Sequence, residues 1–308
     1  CSVNLLENEL EKDLSKVNFS QEAPITSIRV LAMHKMYEKI KDQGIKVILE
    51  GQGGDELGAG YEYYYAPLFL DLLKSNNNYL DAFKKIEKIL DNYKSINSSN
   101  KFKRLFDSLM YVIKPGIATQ DGVPFVNHDV YNQKFINLKN NYSIKHELNS
   151  FVKSMQLIDI EKIILPRGLR FLDRASMASS VEARVPLLDH RITEFSLSIP
   201  NNLKIKNNET RYFMKSFLKN KQDKNFSKKV LKQKKTIVDP QRKWMRNDNH
   251  DFIMSTFNES NVYDEYEIFD KKKLINEYLM FKKTKNYETS FHIFQYLNVI
   301  MWMKVFLK

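Results

Sequence analysis

A run of apolar, largely β-branched residues at 45–49 stops abruptly at a glycine-rich acidic turn, and residues 45–61 read IKVILEGQGGDELGAGY. A short continuous apolar run bounded by a turn predicts a strand buried on both faces, as in a parallel sheet. Ligands of open α/β sheets gather at the carboxyl ends of the strands. Here that end carries Gly51, Gly53 and Gly54, then Asp55 and Glu56. Glycine lets a backbone approach a phosphate and aim N–H groups at it, while two carboxylates would repel that phosphate unless Mg2+ lay between them. The spacing fits a metal-pyrophosphate cradle, and it fits an ordinary glycine turn with a solvated acidic pair equally well.

The surroundings favour a sheet. Residues 7–17 are helical in pattern, and from 25 to 41 apolar residues at Ile28, Leu31, Ala32, Met36 and Ile40 keep helical spacing until Gly44 ends the run. The opening residues, CSVNLL, read as the end of a strand whose earlier part lies upstream. Helix, strand and turn in this order predict an α/β fold, the latter half of a doubly wound parallel sheet. Beyond Tyr61 residues 68–73, 79–93 and 102–113 are helical in period, 115–141 read as irregular, and no further alternating strand pattern is visible. Residues 1–65 therefore read as the remainder of an α/β nucleotide-binding core, and 66–308 as a mainly helical part that completes the site.

Composition narrows the function classes. A formal charge of +12 permits anion or nucleic-acid binding, but the lysines are spread along the chain with one concentration at 228–235. No helix-turn-helix, zinc or aromatic-basic motif accompanies them, so no nucleic-acid partner is expected. The apolar stretch 296–307 is too short for a membrane span and contains Lys304. The single cysteine, Cys1, allows no internal disulfide and suits a reducing, cytoplasmic setting.

Two further stretches carry candidate chemistry. In LPRGLRFLDRASMASSVEARVP, at 165–186, Pro166 marks a helix start. Apolar residues at Leu169, Leu172, Met177 and Val181 set Asp173, Arg174 and Ser176 on one helix, followed by Glu182 and Arg184. Acid-base alternation of this kind is by default a solvated, ion-paired face. His190 reads as structural or surface. The stretch LKQKKTIVDPQRKW, at 231–244, is a basic loop or a solvated lysine cluster, and residues 290–307 read as a packed closing helix.

GQGGDELGAGY resembles the signature turn of the asparagine synthetase family, which has Gly-Gly or Gly-Ala before Asp-Glu and an aromatic before a final Gly-Gly-Tyr. LDRASMASSVEARVPLLDHRITEFSLSIP, at 172–200, resembles a second block of that family, and residues 231–244 more loosely resemble its basic loop. The resemblance covers nearly all of the chain but only the later part of the family's synthetase domain. It implies a fold of the PP-loop ATP pyrophosphatase type, adenine nucleotide alpha hydrolase-like. It also implies ATP and Mg2+, with aspartate activated as β-aspartyl-AMP, pyrophosphate released, and ammonia from glutamine completing the amide.

On matched positions the resemblance assigns Asp55 and Glu56 to the metal, and Gly51, Gly53, Gly54 and Tyr61 to the nucleotide. Gln52 falls at the adenylation site, Lys234 and Arg184 on anionic groups, with Glu182 and Asp173 beside them. The family's glutaminase domain and its SGGxDS ATP loop are absent from these residues, and a homodimer is compatible with the pattern. Gln52 cannot ionise as the glutamate of some members can. Gly58 replaces a bulky apolar residue, which predicts looser packing under the turn, and Thr236 with Ile237 replace Gly-Phe. A related amidotransferase acting on another carboxylate, such as a sugar acid, and a non-catalytic chain that needs a partner carrying the ATP loop are the competing readings.

Overall fold

The computed structural model describes residues 3–75, 80, 84, 130–132, 149–206, 209–221, 239–259, 266–283 and 290–307. The predicted helix at 79–93 apart from residues 80 and 84, the predicted helix at 102–113, most of the irregular stretch after them, and residues 231–238 of the basic loop, with Lys234, lie outside the described residues. The rest is mixed α/β and mostly helical, with a small parallel sheet.

Residues 3–6 are irregular, so the strand expected at the start is not formed there. Helix α1 (Leu10–Gln21) ends where Glu22 turns left-handed. Helix α2 (Arg29–Asp42) follows, and Lys35 ties the two together through Glu9 at 2.5 Å and Asp13 at 2.7 Å. Gly44, at φ +74°, ends α2 as expected, and strand β1 (Val47–Leu49) begins.

Short helix α3 (Gly54–Gly58) and helix α4 (Tyr65–Ser75) come next. Helix α5 (Phe151–Ile158) runs through a π-helical turn at Asp159–Ile163 into α6 (Ile164–Met177). The wide turn has a cause in Pro166, which lies in the first turn of α6. A proline lacks an N–H, and its ring crowds the carbonyl four residues back, here that of Lys162.

After α6 comes a second strand, β2 (Glu182–Arg184), which sequence periodicity did not reveal. It pairs parallel to β1 in the register Val47 with Glu182, Ile48 with Ala183 and Leu49 with Arg184. Ile48 and Ala183 face inward, onto a cluster of Tyr37, Leu172, Ala175 and Val181 from α2, α6 and the strand entry. Ile45, Val47 and Leu49 are exposed on the other face, Leu49 by 73%. The expectation of a strand buried on both faces is thus corrected. Among the described residues only one side of this two-stranded sheet is covered by helices.

Helices α7 (His190–Ser198), α8 (Asn201–Lys204), α9 (Tyr212–Lys221), α10 (His250–Asn258), α11 (Lys271–Lys283) and α12 (Phe291–Phe306) follow, with a short helical turn at Gln241–Lys243 and a second π-helical turn at Trp244–Asp248 ahead of α10. The largest core joins α1, α2, α10, α11 and α12. Helix α12 is apolar all round and buried on most of its circumference, including Phe294, Leu297, Ile300 and Met301, as a central helix must be. A second core, with Tyr64, Phe69, Val152 and Met155, lies under α3 and α4. Among the described residues no helix is long and apolar enough to cross a membrane.

Candidate active site

The carboxyl ends of β1 and β2 lie side by side because the strands are parallel, and Glu50 extends the ladder by donating its N–H to the Arg184 carbonyl at 2.8 Å. The Glu50 carboxylate accepts the Tyr37 hydroxyl at 2.9 Å. Burial, followed by that carboxylate, pushes the Tyr37 pKa upward. The chain then enters the glycine turn. Gly53 sits at φ +90°, and a Cβ there would lie 2.3 Å from Leu188 Cδ2. Leu187 lies 3.4 Å from the corresponding point on Gly54. The second block therefore packs its Pro-Leu-Leu run directly onto the first block's turn, and glycine is required at 53 by conformation and by this contact.

The Gly54 N–H donates to the Gly51 carbonyl at 3.3 Å, and α3 starts there with Asp55 and Glu56 in its first turn. Acidic residues suit the positive end of a helix. The two acids have different surroundings. Asp55, with its side chain 22% exposed, is 3.3 Å from Arg211 Nη1. Glu56 is buried, and its carboxylate accepts the Tyr61 hydroxyl at 2.5 Å. Burial and the Glu56 charge push the Tyr61 pKa well up, so Tyr61 remains a donor.

Tyr61, Tyr63 and Tyr64 stack on one another, and the hydroxyls of Tyr63 and Tyr64 converge on Asp159 at 2.5 and 2.6 Å. Asp159 is fully buried in the π-helical turn. The far end of α3 is held from below. Gln156 Nε2 donates to the carbonyls of Glu56 and Leu57, both at 2.8 Å, and Ser196 donates to the latter. These bonds serve carbonyls that a five-residue helix cannot satisfy within itself. The fully buried Lys204 donates to Gln156 Oε1 at 2.6 Å, which fixes the direction of the amide. Burial, helped by the Lys153 charge, pushes the Lys204 pKa down to about 7.

Of the residues singled out from the sequence, Gly51, Gly53, Gly54, Asp55, Glu56 and Tyr61 form one unit. Gln52 is half-buried within its turn. Strand pairing brings Glu182 and Arg184 beside β1, where Arg184 Nε donates to Glu182 at 2.8 Å. That bond lowers the Glu182 pKa. Both side chains are exposed on the same bare face as Val47 and Leu49. Asp173 is exposed on α6, and neighbouring Arg174 pairs with Glu22 at 2.8 Å. His190 is exposed beside Asp189, which instead caps α7 and chelates Arg191.

Sequence reasoning missed Arg211, Asp159, Gln156 and Lys204. The aromatic run YEYYY directly after the turn was a readable signal that the turn rests on phenols. Asp159, Gln156 and Lys204 are ordinary residues of helical stretches, and nothing local marks them.

A family model described as asparagine synthase matches residues 1–304. A protein named asparagine synthetase [glutamine-hydrolyzing] 1 from Bacillus subtilis (strain 168) is 25% identical over 260 residues, covering 82% of this chain and 40% of that protein. A protein named amidase chyE from Penicillium rubens is 24% identical over 232 residues, covering 66% of this chain and 33% of that protein. The chain thus spans about two-fifths and one-third of the lengths of these two relatives. The match at 1–304 and the packing of the two signature blocks on each other agree: the chain belongs to the asparagine synthase family.

Proposed function

We propose that this chain is the later part of an ATP-dependent asparagine-forming ligase that takes ammonia from glutamine. The observation that supports this reading best is the seating of Leu187 and Leu188 on Gly54 and Gly53 at the ends of two parallel strands. Beside it, strand pairing sets the backbone of Arg184, an anion-binding candidate, against Glu50 at the start of that turn.

The chemistry explains these residue types. A carboxylate is a poor acyl donor because oxide would have to leave. If the aspartate side-chain oxygen attacks the α-phosphorus of ATP, the bond to pyrophosphate breaks and β-aspartyl-AMP forms. Ammonia then attacks the acyl carbon, AMP leaves with the oxygen, and ammonia's surplus proton passes to solvent or phosphate. The protein's work is to gather and neutralise anions.

Among the described residues no three His, Cys, Asp or Glu side chains converge on a metal site. Mg2+ is commonly held by one or two carboxylates together with substrate phosphates, so a donor set headed by Asp55 fits an ion that enters with the nucleotide. When bound, Mg2+ neutralises charge on the departing pyrophosphate. Glu56 would have to release Tyr61 to join it, so Asp55 takes the main metal role. Gly51, Gly53 and Gly54 would let the turn's backbone approach the phosphates, with the N–H groups of Gly51 and Gly53 as donors, since that of Gly54 already donates to the Gly51 carbonyl. Gln52 contacts the adenylation site without moving a proton, and Tyr61 fixes the acidic turn. Arg184, oriented by Glu182, would bind an anionic group bidentately, with Asp173 assigned to the nucleotide and Lys234, outside the described residues, to phosphate. The bare face of Ile45, Val47 and Leu49 calls for a covering layer, because parallel sheets are covered on both faces, and strands carrying the ATP loop would add at the sheet's edge.

A second reading, left open by an identity of only 25% to the asparagine synthetase relative, keeps the same activation and changes the acceptor to another carboxylate. The test is pyrophosphate release by the full-length protein with ATP, Mg2+ and glutamine. Dependence on aspartate supports the first reading, dependence on a different acid supports the second, and release with neither removes both.

A further inference from the structure

The apolar residue expected at position 58 is glycine, and the space is not empty. A Cβ on Gly58 would lie 2.6 Å from Arg211 Cγ and 3.1 Å from Arg211 Cβ. The Arg211 N–H donates to the Gly58 carbonyl at 3.0 Å, so backbone and side chain both dock on this one residue. From there the guanidinium reaches Asp55, with Nη1 3.3 Å from Oδ1. The same Oδ1 lies against Gly60, where a Cβ would be 2.2 Å away. Asp55 is therefore held between an arginine on one side and a bare backbone on another.

This seat is unfavourable for Arg211 itself. Its φ is +56°, a left-handed conformation in which the Cβ of any residue but glycine crowds the following carbonyl oxygen. Its Nε is buried with no hydrogen-bond acceptor among the described residues. Strain and an unmet donor in one residue point to a role other than stability.

We propose that Arg211 is a positioning residue for Asp55, entering through the gap that Gly58 leaves, and that glycine at 58 and arginine at 211 act as one unit. The inference rests on the reading of Asp55 as the acid that meets the nucleotide. The arginine holds the carboxylate in one orientation before substrate arrives, and a side chain at 58 would close the path.

The test uses the full-length protein with Gly58→Ala, Arg211→Gly, the two combined, and Arg211→Lys. Thermal midpoints read the coupling. Gly58→Ala alone should lower the midpoint, and adding Arg211→Gly should recover most of that loss, since only the Arg211 Cα then remains near, at 3.4 Å. Midpoint shifts that simply add overturn the unit. Pyrophosphate release, measured below the midpoint of every variant, reads the positioning. Arg211→Gly should reduce it by roughly ten- to a hundredfold, and Arg211→Lys should stay within about threefold of the parent. A folded Arg211→Gly protein with parental release overturns the positioning role. If the parent releases no pyrophosphate with any acid, the reading of the site fails, and the midpoint cycle still decides whether Gly58 and Arg211 are coupled.

Discussion

Tyr61 donates its hydroxyl to Glu56 Oε1 at 2.5 Å, and so the second acid of the Asp55-Glu56 pair is turned into the protein while the first stays at its rim. Replacing Tyr61 by Phe keeps the stacking on Tyr63 and removes only the donor. A buried carboxylate left without its partner destabilises a fold by about 1–3 kcal/mol. Urea unfolding of Tyr61→Phe should show that loss, and an unchanged midpoint would mean the bond contributes little.

Lys204 gives a stability that depends on alkali. Its folded pKa of about 7 lies below the ordinary 10.5, so between those values the unfolded chain binds more protons. Stability should therefore rise with pH from about 7 toward 10, with a slope approaching about 1.4 kcal/mol per pH unit for this one group. Lys215, also depressed by burial, adds in the same direction. Above about 10 the raised tyrosines reverse the trend, because Tyr61 and Tyr64 stay protonated only in the fold. Lys204→Met should remove most of the rise when midpoints are compared across this window.

His34 acts on the acid side. It is buried and bonded to Gln21 at 2.9 Å, and burial pushes its pKa down to about 4 from 6.5. The unfolded chain takes up the proton first, so stability is lost as pH falls from about 6.5 to 4. His34→Gln should flatten that part of the stability profile, and an identical profile would show that His34 does not control it.

Gly53→Ala meets two obstacles, a φ of +90° and Leu188 Cδ2 at 2.3 Å. Together these should destabilise the fold by about 2 kcal/mol or more. Adding Leu188→Ala should recover only the steric share. Full recovery in guanidinium unfolding would mean the backbone conformation imposes no strain.

How much of this was legible in the sequence depended on whether the signal was local. The strand before the turn, Gly44 as a helix stop, and helices α2, α6 and α12 follow from residue type and period. Strand β2 was not readable. Its three residues, Glu-Ala-Arg, have no apolar alternation, and they become a strand only because β1 offers them a parallel partner. The acid pair reads as solvated because adjacent carboxylates usually are, and only the fold brings Tyr61 onto one of them. Gly58 read as a packing loss, while Arg211, far along the chain, fills the space.

The central claim is that Asp55 meets the nucleotide's metal-bound phosphates at the ends of β1 and β2. It is tested most directly by Asp55→Asn in the full-length protein, assayed for acid-dependent pyrophosphate release and for glutamine hydrolysis together. The account predicts that release is abolished while glutamine hydrolysis persists. Release at the parental rate would contradict it.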